Sequence, residues 1–121
     1  MSKKVYIFLA DGFEDIEGLT VVDLLRRAGV EIYTVSIKNT KEVQTAHGIS
    51  LLTDKVFGEV DFSDADMLVL PGGMPGTKYL ACLLYTSAET WEKSLQRSII
   101  FCVNPMKTEC SLQPLRVCWI L

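Results

Sequence analysis

The most reactive side chains of this 121-residue sequence are unevenly placed, because all four cysteines lie beyond residue 81. Cysteine thiols act as nucleophiles, redox centres, zinc ligands or disulfide partners. The spacings contain no C-x-x-C pair of the kind that binds zinc, and nothing in the sequence indicates the secretion that a disulfide framework requires. We therefore expect no metal and no cofactor, and any reactive thiol is one of Cys82, Cys102, Cys110 and Cys118.

Carboxylates and glycines that could take part in catalysis or binding lie in the front part of the chain. Glu14, Asp15 and Glu17 fall in the first turn of a predicted helix, where the helix dipole favours negative charge, so Glu17 taken alone has a structural interpretation. Gly72-Gly73 follows an apolar run and taken alone indicates a tight turn. The only histidine, His47, precedes a glycine in an extended stretch and is predicted to be structural rather than catalytic.

The elements that must position these residues follow from the apolar pattern. Strands are predicted at Lys4 to Ala10, Glu31 to Ser36 and Met67 to Leu70, because such runs are typical of strands buried on both faces. Gln44 to Thr53 is predicted to hold two short strands. A helix ending near Gly29 has a buried face of Gly18, Val21, Val22, Leu25 and Ala28. This alternation predicts an α/β fold with a flavodoxin-like, doubly wound, mainly parallel sheet, truncated at this length.

Composition narrows the class of protein. The hydrophobic fraction is 49%, the charged fraction is 22% and the net charge is −3, which is typical of a globular domain and gives no electrostatic case for nucleic acid or an anionic membrane as a partner. The apolar runs are too short to cross a bilayer. Because the N-terminus leads directly into a strand-like run, the expected location is cytoplasmic.

Four motifs together resemble one known family. They are Ala10 to Glu17, Arg26 to Gly29, Ala46 to Ile49 and Val69 to Gly76. In this order and at these intervals they are similar to the ThiJ/PfpI family of the class I glutamine-amidotransferase-like superfamily. The resemblance extends from about Lys4 to about Leu80. Each motif alone is weak, and the specificity comes from their combination.

The resemblance implies a cysteine-centred site at the carboxyl edge of the sheet. In the family a glutamate of the first helix hydrogen-bonds the thiol, and that position here is Glu17. A backbone N–H of the Gly72-Gly73 turn, at Gly73, helps to form an anion pocket. The implied activity is glyoxalase or protein deglycase chemistry on 2-oxoaldehydes or their protein adducts, and the implied assembly of the intact parent is a homodimer. Amide hydrolysis also occurs among relatives.

Alternative functions of the same fold do not require catalysis. A thiol redox sensor or a chaperone of the same family remains open, since a sensor uses the same cysteine. A phospho-receiver is disfavoured, because Leu70-Pro71-Gly72-Gly73 occupies a strand end where such a domain places an aspartate.

The family nucleophile is absent from its expected position. The resemblance places it near Asn104, whereas Cys102 lies two residues earlier, in an apolar run that ends before Pro105. Val103 and Asn104 stand where the family has two small residues. We therefore predict that the chain as given is inactive, unless Cys102 replaces the missing nucleophile.

The composition changes abruptly near residue 81. All eight glycines lie at or before Gly76, the last aspartate is Asp66, and both tryptophans follow residue 81. Cys82 to Ser87 resembles the translation of a transposase end sequence used to tag DNA for library preparation. These signals predict a family part at 1–81 and a foreign tail at 82–121, from adapter read-through or a frameshift, that does not continue the sheet; a natural divergent tail is the alternative. Within the tail, Glu89 to Ile100 has helical spacing and Ser98 to Val103 is strand-like.

Overall fold

The computed structural model describes the backbone of residues 3–86, 99–103 and 117–120, and the side chains of residues 3–83. The described strands are β1 (Lys4–Leu9), β2 (Glu31–Ser36), β3 (Glu42–Gln44), β4 (Ser50–Leu52), β5 (Lys55–Val56), β6 (Met67–Pro71), β7 (Ile99–Val103) and β8 (Val117–Ile120). Six of them form one sheet in the order β5-β2-β1-β6-β7-β8. Every neighbouring pair in it is parallel, which confirms the predicted flavodoxin-like α/β class.

The two remaining strands form a small antiparallel hairpin. Val43 of β3 pairs with Leu51 of β4, and the turn between the strands carries His47 and Gly48. The prediction of two short strands between Gln44 and Thr53 is therefore confirmed in kind, although β3 begins two residues earlier, at Glu42. Gly48 has a φ of 78°, a backbone conformation that suits glycine at a tight turn.

Two α-helices flank the described strands, α1 (Asp15–Arg27) and α2 (Gly76–Thr86), together with two short 3₁₀ turns at Phe57–Glu59 and Phe62–Asp64. Gly18 and Val22 of α1 are buried as predicted, but Ala28 is exposed because it caps the helix end. Helix α2 is not among the predicted elements, and it crosses the predicted boundary at residue 81. Among the residues described here, no helix has the length and apolar character needed to cross a membrane.

Side chains alternate between the two faces of the sheet and build two apolar clusters. Along β1, Tyr6 and Phe8 face one cluster, whereas Val5 and Ile7 face the other. Aromatic rings dominate the first cluster, since Phe62 lies 5.2 Å from Tyr6 and 5.3 Å from Phe8 between ring centroids. The second cluster packs against α1. This alternation is the expected consequence of burying a parallel sheet on both faces.

The tail supplies two strands. Residue Leu68 of β6 pairs with Ile100 of β7, and Phe101 of β7 pairs with Cys118 of β8. The expectation that the tail is no native continuation of the sheet stays a prediction, whereas the strand-like stretch expected at Ser98 to Val103 is present as β7. The physical reason is that Ile99–Val103 is a continuous apolar, β-prone run, which satisfies the requirement for a buried parallel strand whatever its origin. The predicted helix at Glu89 to Ile100 falls mostly on residues 89–98, outside the described residues.

Candidate functional site

A hydrogen bond joins two of the predicted site residues. The Gly72 N–H donates to Glu17 Oε2 over 2.9 Å, although the residues are 55 positions apart in sequence. Gly72 follows β6 directly and Glu17 lies in the first turn of α1, so the bond connects the carboxyl end of a central strand to the start of a helix. Open parallel sheets place their ligand sites at this edge.

The partial burial of the Glu17 carboxyl group favours its protonated form. Burial raises the pKa of Glu17 because the charged form loses hydration, the Gly72 N–H opposes this by stabilising the carboxylate, and the negative charge of Glu14 raises the pKa further. The balance lies above the ordinary glutamate value. A partly buried carboxyl with a raised pKa can exchange a proton with a neighbouring acidic group, which is the role expected of it.

The glycines of this turn allow two backbone segments to approach closely. Gly73 has a φ of 104°, and a Cβ added there would lie 2.3 Å from the Glu14 nitrogen. A Cβ on Gly12 would lie 2.3 Å from Pro75 Cδ. The Glu14 N–H also donates to the Gly72 carbonyl over 2.8 Å. The segment of residues 11–15 and the Gly72-Gly73 turn are thus packed backbone to backbone, with no room for side chains at the two glycines.

The start of α2 closes the other side of the turn. The Thr77 N–H and hydroxyl both donate to the Gly73 carbonyl, over 2.9 and 2.8 Å. This directs the Gly73 carbonyl into the helix.

On its opposite side, the segment of residues 11–15 is braced by the β3–β4 hairpin. The Gly12 N–H donates to the Gln44 carbonyl over 2.8 Å, and the Ala46 N–H donates to the Phe13 carbonyl over 2.9 Å. The Asp11 carboxylate accepts the Gln44 N–H over 3.0 Å and pairs with Lys38. Residues 11–15 therefore lie between the hairpin and the Gly72-Gly73 turn.

His47 joins the same brace. Its Nδ1 lies 2.8 Å from Asp15 Oδ1 and 3.8 Å from Glu14 Oε1. The pKa of His47 is raised, mainly by its hydrogen bond to Asp15 and to a smaller extent by the charge of Glu14. The pKa of Asp15 is lowered, mainly by a hydrogen bond from the Thr45 hydroxyl and to a smaller extent by His47. The prediction that His47 is structural does not include its contacts with Asp15 and Glu14, because nothing in the local sequence indicates that positions 15 and 47 meet.

Within the described part of the chain, donor atoms that could share a metal ion are found on Glu14, Asp15 and His47. These atoms lie within 4.8 Å of one another. The same atoms already form an ion pair and a hydrogen bond, which accounts for their approach without a cation. The sequence-based expectation of no metal and no cofactor stays a prediction.

The backbone register locates Cys102 relative to this site. Cys102 pairs with Leu70 and Val103 pairs with Pro71, so Cys102 lies inside β7, one residue before its end. Leu70, which pairs with Cys102, lies two residues before Gly72. The position expected for the nucleophile, near Asn104, lies outside the described residues. Cys82, by contrast, is exposed on α2.

Comparison with known proteins agrees with the motifs. A sequence model of the DJ-1/PfpI family matches residues 3–95, which extends past the boundary drawn at residue 81. The chain is 37% identical over 79 residues to protein DJ-1 homolog B of Arabidopsis thaliana, covering 65% of this chain and 18% of that protein. It is 40% identical over 73 residues to the putative cysteine protease YraA of Bacillus subtilis, covering 60% and 43%.

Other relatives include an enzyme and a solved structure. Deglycase TK1284 of Thermococcus kodakarensis is 41% identical over 70 residues, covering 58% of this chain and 42% of that protein. The crystal structure of Drosophila melanogaster DJ-1beta superimposes with a TM-score of 0.74 at 27% identity, covering 85% of this chain and 55% of that one. The chain thus spans less than half of these curated relatives and about half of the solved structure. The matched residues include Glu17, Gly72 and Gly73, and the chain belongs to the DJ-1/PfpI family.

Proposed function

We propose that this chain is the front part of a cysteine-dependent protein that acts on 2-oxoaldehydes or on their adducts with proteins, as glyoxalases and protein deglycases do. The observation that supports this is the bond between Glu17 Oε2 and the Gly72 N–H, which places a carboxyl of raised pKa beside a glycine turn at the carboxyl edge of the sheet. Two relatives named as deglycases are 41% and 39% identical to this chain, over 70 and 74 residues.

The proposed roles follow from the chemistry. A thiolate in the intact protein attacks the aldehyde carbon, a C–S bond forms, and the carbonyl electron pair moves to oxygen. The Gly73 N–H donates to that oxyanion, while Glu17 carries the proton between the thiol and the substrate. Glu17 then transfers the proton of the former aldehyde carbon to the adjacent carbonyl carbon, which leaves a thioester of the 2-hydroxy acid. Water hydrolyses this thioester, so the C–S bond breaks, the 2-hydroxy acid leaves and the thiol is restored. The net reaction adds one water to the 2-oxoaldehyde and needs no external oxidant or reductant.

The roles of Gly72 and Gly73 differ in this proposal. The Gly72 N–H binds Glu17, so Gly72 contributes to the pocket by orienting the carboxylate. The adjacent amide, at Gly73, is the one assigned to the anion. Protein adducts of the aldehyde are the second substrate class, and the intact protein is proposed to be a cytoplasmic homodimer.

The test uses the intact parent, with a family continuation in place of residues 82–121. Glu17→Gln should reduce methylglyoxal turnover by about 10²–10⁴-fold, the usual contribution of a positioned acid–base group. Asp23→Asn, on the exposed side of the same helix, is the matched control and should retain full turnover. Unchanged turnover in Glu17→Gln would remove the role assigned to Glu17.

Residues 1–121 themselves are proposed to be inactive. Cys102 is a member of β7 rather than of a turn that follows it, whereas the nucleophile of other α/β enzymes lies on a strand-to-helix elbow. Turnover by residues 1–121 that Cys102→Ser abolishes would contradict this. If the parent lacks turnover but its thiol is oxidised stoichiometrically by peroxide, the redox-sensor alternative replaces the enzyme.

A further inference from the structure

The hairpin and the site share one short stretch of chain. Residues 12–17 contact the β3–β4 hairpin through Gly12, Phe13 and Asp15, and contact the Gly72-Gly73 turn through Glu14 and Glu17. A movement of the hairpin is therefore transmitted to the start of α1, and from there to the bond between Glu17 and Gly72.

The hairpin has few other means of attachment at its turn. His47 and Gly48 are exposed, and the Ala46 N–H bond to Phe13 is the last backbone hydrogen bond that the hairpin makes to residues 11–15 before the turn. The Thr45 side chain also acts on Asp15, and the bond from His47 Nδ1 to Asp15 Oδ1, at 2.8 Å, is the side-chain contact made by the exposed turn itself. Asp15 is well suited to it, since only 13% of its side chain is exposed, against 65% for His47.

We infer that His47 is a positioning residue: its ion pair with Asp15 holds the hairpin turn against the start of α1 and so keeps Glu17 hydrogen-bonded to Gly72. The inference deepens the proposed function, because it adds a proton-dependent control to the carboxyl proposed to carry the substrate proton. His47 does not touch the reacting atoms. It acts through Asp15 and the backbone of residues 12–14.

The control has a defined pH window. The charged groups that act on His47 are Glu14 and Asp15, both at the start of α1. The pKa of His47 is raised in the folded chain above 6.5, so its contribution is complete below that value and is lost as pH rises through the folded pKa. The pKa of Asp15 is lowered below 3.8, so its contribution is lost only in strong acid. Protonated His47 and ionised Asp15 therefore coexist from about pH 4 to about pH 6, and their ion pair weakens as pH rises through the folded pKa of His47.

The test is amide exchange of the 121-residue chain, in which catalysis plays no part, so its failure is distinct from failure of the proposed activity. Protection of Ala46 and Gly72 is compared between wild type and His47→Gln at pH 5.5 and at pH 8.5. The ratio of wild-type to His47→Gln protection should be about two- to five-fold at pH 5.5, as for partly exposed ion pairs, and should be smaller at pH 8.5. Arg27→Gln, which removes an exposed ion pair at the far end of α1, should leave both amides unchanged.

Each other outcome overturns the inference. Equal protection in wild type and His47→Gln at pH 5.5 shows that the ion pair holds nothing. Loss at Ala46 without loss at Gly72 shows that His47 fixes the hairpin alone and does not position Glu17. A loss of equal size at both pH values shows that the charge of His47 is irrelevant.

Discussion

Residues 3–81 and residues 82–121 join the same sheet in different ways. The first segment is tied together by glycines that allow backbone contact, by a carboxyl bonded across 55 positions, and by ion pairs between distant elements. The second segment enters the sheet through β7 and β8, which are apolar runs with matching backbone registers. The difference teaches that joining a parallel sheet requires only an apolar, β-prone stretch, whereas building a site requires particular residues at particular positions.

The relatives sharpen the same contrast. The curated matches cover between 58% and 65% of the chain, while the family model reaches residue 95 and solved structures superimpose on about 85%. The backbone path is therefore shared over more of the chain than the sequence similarity to the curated relatives. The hypothesis of a foreign tail is a statement about sequence origin, and it predicts that β7 and β8 contribute little to cooperative stability.

The largest expected effect is in amide exchange of residues 1–121. If the tail is foreign, the amides of β1 should be protected by at least about 100-fold more than those of β7 and β8, since local opening needs less free energy where packing is not cooperative. The measurement is exchange followed by mass spectrometry of peptides from both regions. Protection of β7 and β8 equal to that of β1 would show that the tail belongs to the native core and would refute the foreign origin.

A matched pair of truncations at the β6–β7 pairing sharpens the comparison. Leu68 is 1% exposed and pairs with Ile100. Leu68→Ala should lower the free energy of unfolding by about 2–5 kcal/mol, as for other buried leucines, whereas Ile100→Ala should lower it by less than about 0.5 kcal/mol if β7 is not part of the cooperative core. Urea unfolding of both variants measures this. Similar losses in the two variants would place both strands in one cooperative core.

A pair of glycine substitutions tests whether the site depends on close backbone contact. Gly73 and Gly29 both have positive φ, of 104° and 77°, but a Cβ on Gly73 meets the Glu14 nitrogen at 2.3 Å while a Cβ on Gly29 meets nothing within 4 Å. Gly29→Ala should cost about 1 kcal/mol of unfolding free energy from strain alone, and Gly73→Ala about 3 kcal/mol or more. Equal costs would show that steric contact at the turn is unimportant.

Much of the fold is predictable from local sequence, for identifiable reasons. The strands at Lys4, Glu31 and Met67 are apolar on both faces, and the helix after Asp15 has acidic residues at its start and Arg26 and Arg27 in its last turn. Helix α2 is not among the predicted elements, although Leu80 is buried and Leu83 packs partly against the same cluster three residues later. The predicted boundary at residue 81 falls inside this helix and divides its apolar spacing between two segments.

Sequence alone determined the fold class and the family, because apolar periodicity and a set of ordered motifs are local properties of the chain. The choice of Glu17, Gly72 and Gly73 as site candidates came from the family resemblance that those motifs carry. Tertiary structure decided which groups meet: the Gly72 N–H with Glu17, the Gly73 backbone with Glu14, and His47 with Asp15. It also decided the direction of the Glu17 pKa, which burial raises even though a first-turn position on a helix favours the charged form. Such contacts join residues that are 32 to 59 positions apart. They depend on how the crossover helix returns to the sheet, and no local pattern in the sequence carries that information.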